Sequence, residues 1–132
     1  MKASELRIGN YINFKDRDDI FFCEVTSIDR GGYVHILRNF KDNLNNDDQP
    51  ESIQDITPIM LTEEWLLRIG FEPHFGTYIF KTNRGIILIE EDLAEISFNE
   101  TQRGFNAPCN YVHQLQNLYF TLTGQELEIK EL

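Results

Sequence analysis

The segment PCNYVHQLQNLYFTLTGQEL (residues 108–127) has the clearest helical periodicity in the chain, and it limits how the rest can fold. On a 3.6-residue helical wheel its apolar residues fall within roughly 120° of one another, the width of a stripe that faces a core. Asn110 is a suitable N-cap, and Gly124 can adopt the left-handed conformation that ends many helices. We therefore predict an amphipathic helix with a core-facing stripe of Tyr111, Val112, Leu115, Leu118, Tyr119 and Leu122.

A second, shorter helix is predicted over LTEEWLLRIGF (residues 61–71). Thr62 is a suitable N-cap, two glutamates follow it where the helix dipole favours anions, and Gly70 is a suitable end. Phe71 is expected to fold back onto the last turn. Trp65, the single tryptophan, is expected in the core.

Three strands are predicted between the two helices. The segments TYIFKT (77–82), IILIEE (86–91) and LAEISFNE (93–100) are separated by short turns and predict an antiparallel meander. Residues 101–108 are predicted to form a loop. The alternating sequence ELEIKEL (126–132) predicts a short terminal strand at a sheet edge.

The first half of the chain has the pattern of short β-strands. Residues 8–14, 20–29 and 33–38 are rich in β-branched and aromatic side chains, and Arg30-Gly31-Gly32 predicts a tight hairpin turn. SIQDITPIM (52–60) predicts a short strand or turn. These features favour a strongly curved antiparallel sheet. The leading interpretation is a small barrel of the Src-homology-3 type.

The polar segment NFKDNLNNDDQPE (39–51) is predicted to be a solvated loop. A calcium-binding loop is the alternative, but the alternating oxygen ligands, central glycine and distant glutamate of an EF-hand are not all present at their spacing. The predicted fold class is thus α+β, with an all-β half over residues 1–60. An α+β half over residues 61–132 is expected to share a core with it, because about 70 residues alone bury little surface.

The chain is strongly acidic, with 22 Asp and Glu residues against 12 Lys and Arg residues and a formal net charge of −10. Direct binding to nucleic acid or to an anionic membrane is disfavoured, because such binding depends on cationic side chains. Cys23 and Cys109 lie far apart, and no apolar run approaches the roughly 18 residues of a membrane span. We therefore predict reduced thiols and a cytoplasmic location.

Catalytic and metal-binding motifs are scarce. His35, His74 and His113 are scattered, whereas zinc ligands are commonly grouped in close pairs. Cys109 and His113 stand at i and i+4, but nothing marks a third residue that would orient the histidine. The acidic residues within 90–95 fit a solvated strand end better than a cation site or a pair of glycosidase carboxylates. No catalytic residue, cofactor or metal site is predicted.

One residue of the long predicted helix lies outside the core stripe. Phe120 falls on the opposite side of the wheel, between Gln116 and His113. One interpretation is that the helix is covered on two sides and Phe120 packs on a second element. The other is an exposed face of His113, Gln116 and Phe120 that binds a protein partner or a second copy of the chain, because exposed aromatic side chains are common interface anchors.

Three strings in the chain support a family resemblance. ELRIGNYI (5–12), PIMLTEEWLLRIGF (58–71) and YVHQLQNLYFTLTGQEL (111–127) resemble segments of small proteins from Bacteroidetes-type bacteria, often in prophage or mobile-element surroundings. These strings cover about a third of the chain. The resemblance implies a family without an established activity, so it transfers no catalytic residue to this chain. It also implies an accessory protein of phage or mobile-element origin.

Three classes of function follow as hypotheses. The first is a non-enzymatic cytoplasmic protein-interaction or accessory module. The second is an acidic inhibitor that imitates nucleic acid and occupies the binding site of a DNA-binding protein. The net charge of −10 is the observation that suggests it. The third is a small-molecule-binding protein or enzyme, which would need a deep pocket with convergent polar groups.

Overall fold

The computed structural model of the protein describes residues 1–38, 49–51, 55–97 and 103–130. The chain divides into two compact units, Met1–Ile59 (unit 1) and Met60–Leu132 (unit 2). Each unit contains one five-stranded antiparallel sheet, and unit 2 also carries the two α-helices of the described residues. The predicted α+β class is confirmed, with a β-rich first part followed by a helix, a meander and a later helix.

Unit 1 is a curved sheet in which the last strand returns to the first. After a short 3-10 helix at Ala3–Glu5, the strand order across the sheet is β4-β3-β2-β1-β5. The strands are β1 (Tyr11–Asp16), β2 (Asp19–Ile28), β3 (Val34–Arg38), β4 (Gln49–Glu51) and β5 (Ile56–Thr57). β4 and β5 are not paired in the described residues, so the closed small-barrel version of this sheet stays a prediction.

The sequence explains the two tight hairpins of unit 1. Between β1 and β2, Arg17 adopts a positive φ of 58° in the polar turn. Between β2 and β3, one carboxylate oxygen of Asp29 accepts hydrogen bonds from the amides of Gly31 (2.8 Å) and Tyr33 (3.0 Å). A register shift between Val25 and Ser27 bends the long strand β2, as a bulge does. The enclosed core consists of Leu6, Ile12, Phe14, Cys23, Val25, Val34, Ile36 and Ile56.

The sheet of unit 2 has its strands in simple sequence order, β10-β9-β8-β7-β6. Alternate residues of the two central long strands are buried, so one face of the sheet forms the floor of the core. The strands are β6 (Glu72–His74), β7 (Thr77–Lys81), β8 (Ile86–Glu90), β9 (Leu93–Ser97) and β10 (Arg103–Pro108).

Helix α1 (Glu63–Ile69) ends as the sequence predicts. Gly70 has a φ of 111°, and its amide donates to the carbonyl oxygens of Leu66 and Leu67. Phe71 then folds back: its amide donates to Leu66 at 2.9 Å, and its buried ring stacks on Phe80 at 5.1 Å between centroids. Because a Cβ atom at Gly70 would lie 3.3 Å from the Phe80 ring, this glycine also permits the close approach of helix and sheet.

Helix α2 (Val112–Thr123) is the long amphipathic helix, and it begins one residue later than predicted. Tyr111 rather than Asn110 is the N-cap residue, and the amides of both donate to the side-chain oxygen of Gln114. Gly124 ends the helix with a φ of 73°.

Both helices and the segment after α2 pack on the same core of unit 2. Leu115 is buried there, and Leu118, Tyr119 and Leu122 pack against the core, which confirms these members of the predicted stripe. The buried core members are Leu66, Ile69, Phe71, Ile87, Ile89, Ala94, Ile96, Cys109, Leu115 and Leu127.

Several predictions about unit 2 are wrong. Residues of the expected loop 101–108 form the edge strand Arg103–Pro108, which pairs with β9. The pairing contains a register shift between Arg103 and Phe105, which the sequence does not predict. The short edge strand Glu72–His74 was not predicted. Residues 126–130 form no regular strand; Leu127 instead packs into the core.

Trp65 is only partly buried and lies outside the core, where the Arg68 guanidinium carbon sits 5.1 Å from its ring centre. Leu66 and Ile69 are the buried residues of α1.

Predictions for residues 39–48, 52–54, 98–102 and 131–132 lie outside the described residues.

Candidate functional site

The predicted interface of His113, Gln116 and Phe120 is not an exposed face. His113 and Gln116 are each 2% exposed, whereas Phe120 is 38% exposed. Val112 and Leu115 are also fully buried, so the first half of α2 is covered around most of its circumference. Hydropathy assigns His and Gln to the surface, but both side chains are buried in this fold, and the His113 ring stacks on that of Tyr111 with 5.7 Å between centroids. Of the three residues, only Phe120 remains accessible to a partner.

Among the described residues, the most exposed aromatic side chain belongs to a different element, the hairpin between β6 and β7. Phe75 is 96% exposed at the tip of this hairpin. Its ring meets the imidazole of His74 edge-on, with 4.7 Å between centroids. Glu72, Pro73 and His74 of the adjoining strand are exposed as well. The hairpin thus presents an apolar group to solvent, where it buries almost nothing in its own chain.

The backbone at this tip is of a kind that phenylalanine rarely adopts. Phe75 has a φ of 47° and Gly76 a φ of 83°, so both residues of the two-residue loop are left-handed. Such loops favour Asn, Asp or Gly at the first position, because a Cβ atom crowds the backbone there. Left-handed backbone at other residues costs about 1–2 kcal/mol and recurs at functional sites. Phe75 is therefore unfavourable both in its exposure and in its conformation.

Acidic side chains surround the same end of the unit 2 sheet. Strands β7 and β8 are antiparallel, so the Phe75–Gly76 turn before β7 and the Glu91–Asp92 turn after β8 lie at one end. Glu90, Glu91 and Asp92 are all exposed there. We call this end of unit 2 the acidic end.

The start of α1 belongs to the acidic end as well. Tyr78 is the second residue of β7, close after the hairpin tip. Its pKa is raised, first because its side chain forms a hydrogen bond with the Glu63 carboxylate, and to a smaller extent by burial and by the charge of Glu63. Glu63 and Glu64 are exposed in the first turn of the helix. The acidic end therefore carries five exposed carboxylates, those of Glu63, Glu64, Glu90, Glu91 and Asp92.

Two further apolar side chains are exposed at the acidic end. The amide of Cys109 donates to the carbonyl oxygen of Asp92 at 2.8 Å, which brings the start of α2 to this end. Met60 forms a backbone bridge with Tyr111, the residue before α2, and is 61% exposed. Leu93, the first residue of β9, is 41% exposed. Together with Phe75 they give the acidic end an exposed apolar component.

The cations of unit 2 lie away from the acidic end. Lys81 ends β7, and Arg84 follows in the turn before β8, at the opposite end of the sheet. Arg68 lies in the last turn of α1, and its carbonyl oxygen accepts a hydrogen bond from the amide of Lys130 at 3.0 Å. Lys81 and Arg84 therefore lie at the end of the sheet opposite the five carboxylates of the acidic end.

The chemistry available elsewhere in the described residues is limited. Burial raises the pKa of the Cys109 thiol to about 12, so this cysteine is a poor nucleophile at neutral pH. No group of three or more His, Cys, Asp or Glu side chains within the described ranges could hold a metal ion. Neither described helix is long and apolar enough to cross a membrane.

Two pockets on unit 2 are shallow and open to solvent. One, of about 250 Å³, is lined by Glu95 and by Gly104, Phe105 and Asn106 of β10. The other, of about 480 Å³, lies at the cationic end beside Arg84 and the end of α2. Neither has the enclosure and convergent polar groups of a typical small-molecule site.

Neither a family model, nor a curated protein, nor a solved structure matches the chain. The function therefore has to be inferred from the geometry of the acidic end. Phe75 cannot be recognised as a contact residue from the sequence, because a positive φ at a phenylalanine cannot be read from composition. The one available signal was a Phe-Gly pair just before a strand.

Proposed function

We propose that the protein is a non-enzymatic protein-interaction module, and that Phe75 is its main contact residue. The observation that supports this is an aromatic side chain, 96% exposed, held on a left-handed hairpin tip. Interface hot spots are enriched in large side chains that fill a pocket on the partner. Phe75 lowers the stability of its own chain, and its presence is explained if the same side chain contributes to binding a partner.

The cellular setting is part of the same proposal. The family resemblance favours a bacterial mobile element or prophage as the origin of the module, and we propose that it acts in the cytoplasm. Cys23 and Cys109 are buried thiols that form no disulfide, which agrees with a reducing compartment. The contact would be with another protein or with a second copy of the chain, since the net charge of −10 disfavours nucleic acid and anionic lipid surfaces.

The nucleic-acid-mimicking alternative has weaker support. A mimic needs carboxylates in regular rows along an elongated face, spaced like phosphates. In unit 2 five exposed carboxylates lie around an apolar tip at the acidic end, and Lys81 and Arg84 lie at the opposite end of the sheet. This arrangement suits a mixed apolar and electrostatic contact better than imitation of a nucleic-acid backbone.

Affinity capture from the native host, followed by mass spectrometry, tests the proposal. The matched control is Phe75→Asn, which keeps the hairpin and removes the ring. We expect at least one protein to be enriched with the wild-type chain and lost with Phe75→Asn. If the wild-type chain enriches nothing over an unrelated acidic protein of similar size, the protein-interaction proposal is wrong.

A further inference from the structure

We infer that the partner of Phe75 is a different protein, whose receiving pocket has an apolar floor and a rim of Lys and Arg. This inference rests on the proposed function and specifies the chemistry of the partner. The apolar floor follows from Phe75, with Met60 and Leu93 exposed at the same end. The cationic rim follows from the carboxylates that flank this apolar group.

The charges flanking the tip are placed to act on a partner. Five exposed carboxylates lie at the acidic end, and the described cations of unit 2 lie away from it. Their fields therefore add at the end of the sheet that carries Phe75, and act on charges of a partner that come within the Debye length of about 8–10 Å at physiological salt. A partner with a neutral or acidic rim would meet repulsion there, while a cationic rim would be attracted and oriented.

The helix dipole explains only part of this charge distribution. Glu63 and Glu64 at the start of α1, and Arg68 at its end, are where the dipole favours them. Glu90, Glu91 and Asp92 lie in a strand end and turn outside α1, near the start of α2, to which the Cys109 amide links the carbonyl oxygen of Asp92. Stability of α1 therefore does not account for the concentration of charge around the hairpin tip.

A second copy of the chain is a less suitable partner for the acidic end than a different protein. Each copy carries a net charge of −10, so two copies repel at long range. Contact between two acidic ends would place like charges against one another. The other end of the unit 2 sheet carries Lys81 and Arg84, but the open pocket there has Arg84 as the one described cation on its lining, and the repulsion between two chains of net charge −10 opposes a head-to-tail contact.

The first experiment identifies what meets the tip. The photo-crosslinking amino acid p-benzoyl-phenylalanine replaces Phe75 in the full chain, which is expressed in the native host and irradiated. We expect a crosslink to one protein, at a peptide that lies beside Lys or Arg in the partner's surface. A crosslink to a second copy of the chain, to lipid, or to a surface without nearby Lys or Arg overturns the inference.

The second experiment measures the charge dependence with the crosslinked protein in purified form. Calorimetric titration is carried out with the wild type, Glu90→Lys at the acidic end, and Glu128→Lys as a matched exposed control beyond α2. We expect Glu90→Lys to weaken binding by roughly 5- to 10-fold, and Glu128→Lys by less than about 2-fold. Raising the salt concentration should weaken the binding of the wild-type chain, and it should weaken the binding of Glu90→Lys by a smaller factor.

The aromatic contribution has its own pair of variants. Phe75→Ala should weaken binding by at least about 30-fold, the range of a hot-spot residue. Phe105→Ala is the control, because Phe105 is also exposed but lies on β10 away from the tip. Loss of affinity in Phe75→Ala with no effect of Glu90→Lys or salt would overturn the cationic rim and leave the proposed function standing. If no protein crosslinks or is captured, both the proposed function and this inference fail.

Discussion

The ring of Phe75 stands edge-on to the imidazole of His74, 4.7 Å between centroids, and Phe75 is nevertheless 96% exposed. This contact with its neighbour removes almost none of the ring from water. The hydrophobic gain of about 25 cal/mol per Å² of buried apolar surface is therefore mostly absent. The backbone of Phe75, with a φ of 47°, adds a conformational cost. The folding of the hairpin does not explain why this position is a phenylalanine.

Replacing Phe75 by Asn should make the protein more stable. Asn populates the left-handed region readily and suits the first position of this loop. We expect Phe75→Asn to raise the free energy of unfolding by about 1 kcal/mol and the Tm by roughly 2–6 °C. Chemical and thermal denaturation measure both quantities. A loss of more than about 0.5 kcal/mol would show that the ring supports the fold.

The sequence predicted the parts of the fold that depend on periodicity. The stripe of α2 and the meander strands alternate clearly, and Gly70 and Gly124 mark the helix ends. The edge strand Arg103–Pro108 was missed because its Gly, Asn and Pro residues favour a loop, and pairing with β9 overrides that local preference. Residues 126–130 alternate like a strand, but no described strand pairs with them, and Leu127 is held by the core instead.

The candidate site was less predictable than the fold. The burial of His113 and Gln116 depends on tertiary surroundings that a helical wheel of α2 alone does not contain. The charge separation in unit 2 depends on which turns share an end of the sheet, and strand pairing sets this. Phe75 combines exposure with a positive φ, and neither can be read from its neighbours in sequence.

The contact between α1 and the hairpin can be tested by titrating Tyr78. A hydrogen bond to Glu63 is the first cause that raises the pKa of Tyr78, and the charge of Glu63 acts in the same direction. Glu63→Gln should therefore lower the pKa of Tyr78 towards its ordinary value. NMR of ring-labelled tyrosine follows this residue separately from the other four tyrosines. Glu64→Gln is the control and should leave the pKa of Tyr78 unchanged; an equal shift in both variants would place Glu63 elsewhere.

Two residues of α2 should differ strongly in their contribution to stability. Leu115 is fully buried in the core of unit 2, whereas Phe120 is 38% exposed. Leu115→Ala should lower the free energy of unfolding by about 2–5 kcal/mol, because it leaves a cavity. Phe120→Ala should lower it by about 1 kcal/mol or less. Equilibrium denaturation of the two variants side by side decides this, and equal losses would contradict the packing of α2 described here.

The Cys109 thiol should make stability fall at alkaline pH. Burial raises its pKa from 9.0 to about 12, so above pH 9 the unfolded chain loses this proton while the folded chain keeps it. Proton loss then favours the unfolded state, and the stabilisation present below pH 9 is lost as the pH rises towards 12. In a Cys23→Ala background, the free energy of unfolding should fall more steeply between pH 8 and 11 than in the Cys23→Ala, Cys109→Ala double variant. The same burial should block a thiol reagent at pH 8 until urea unfolds the chain; rapid labelling of the folded protein would show that Cys109 is accessible and would remove the basis for its raised pKa.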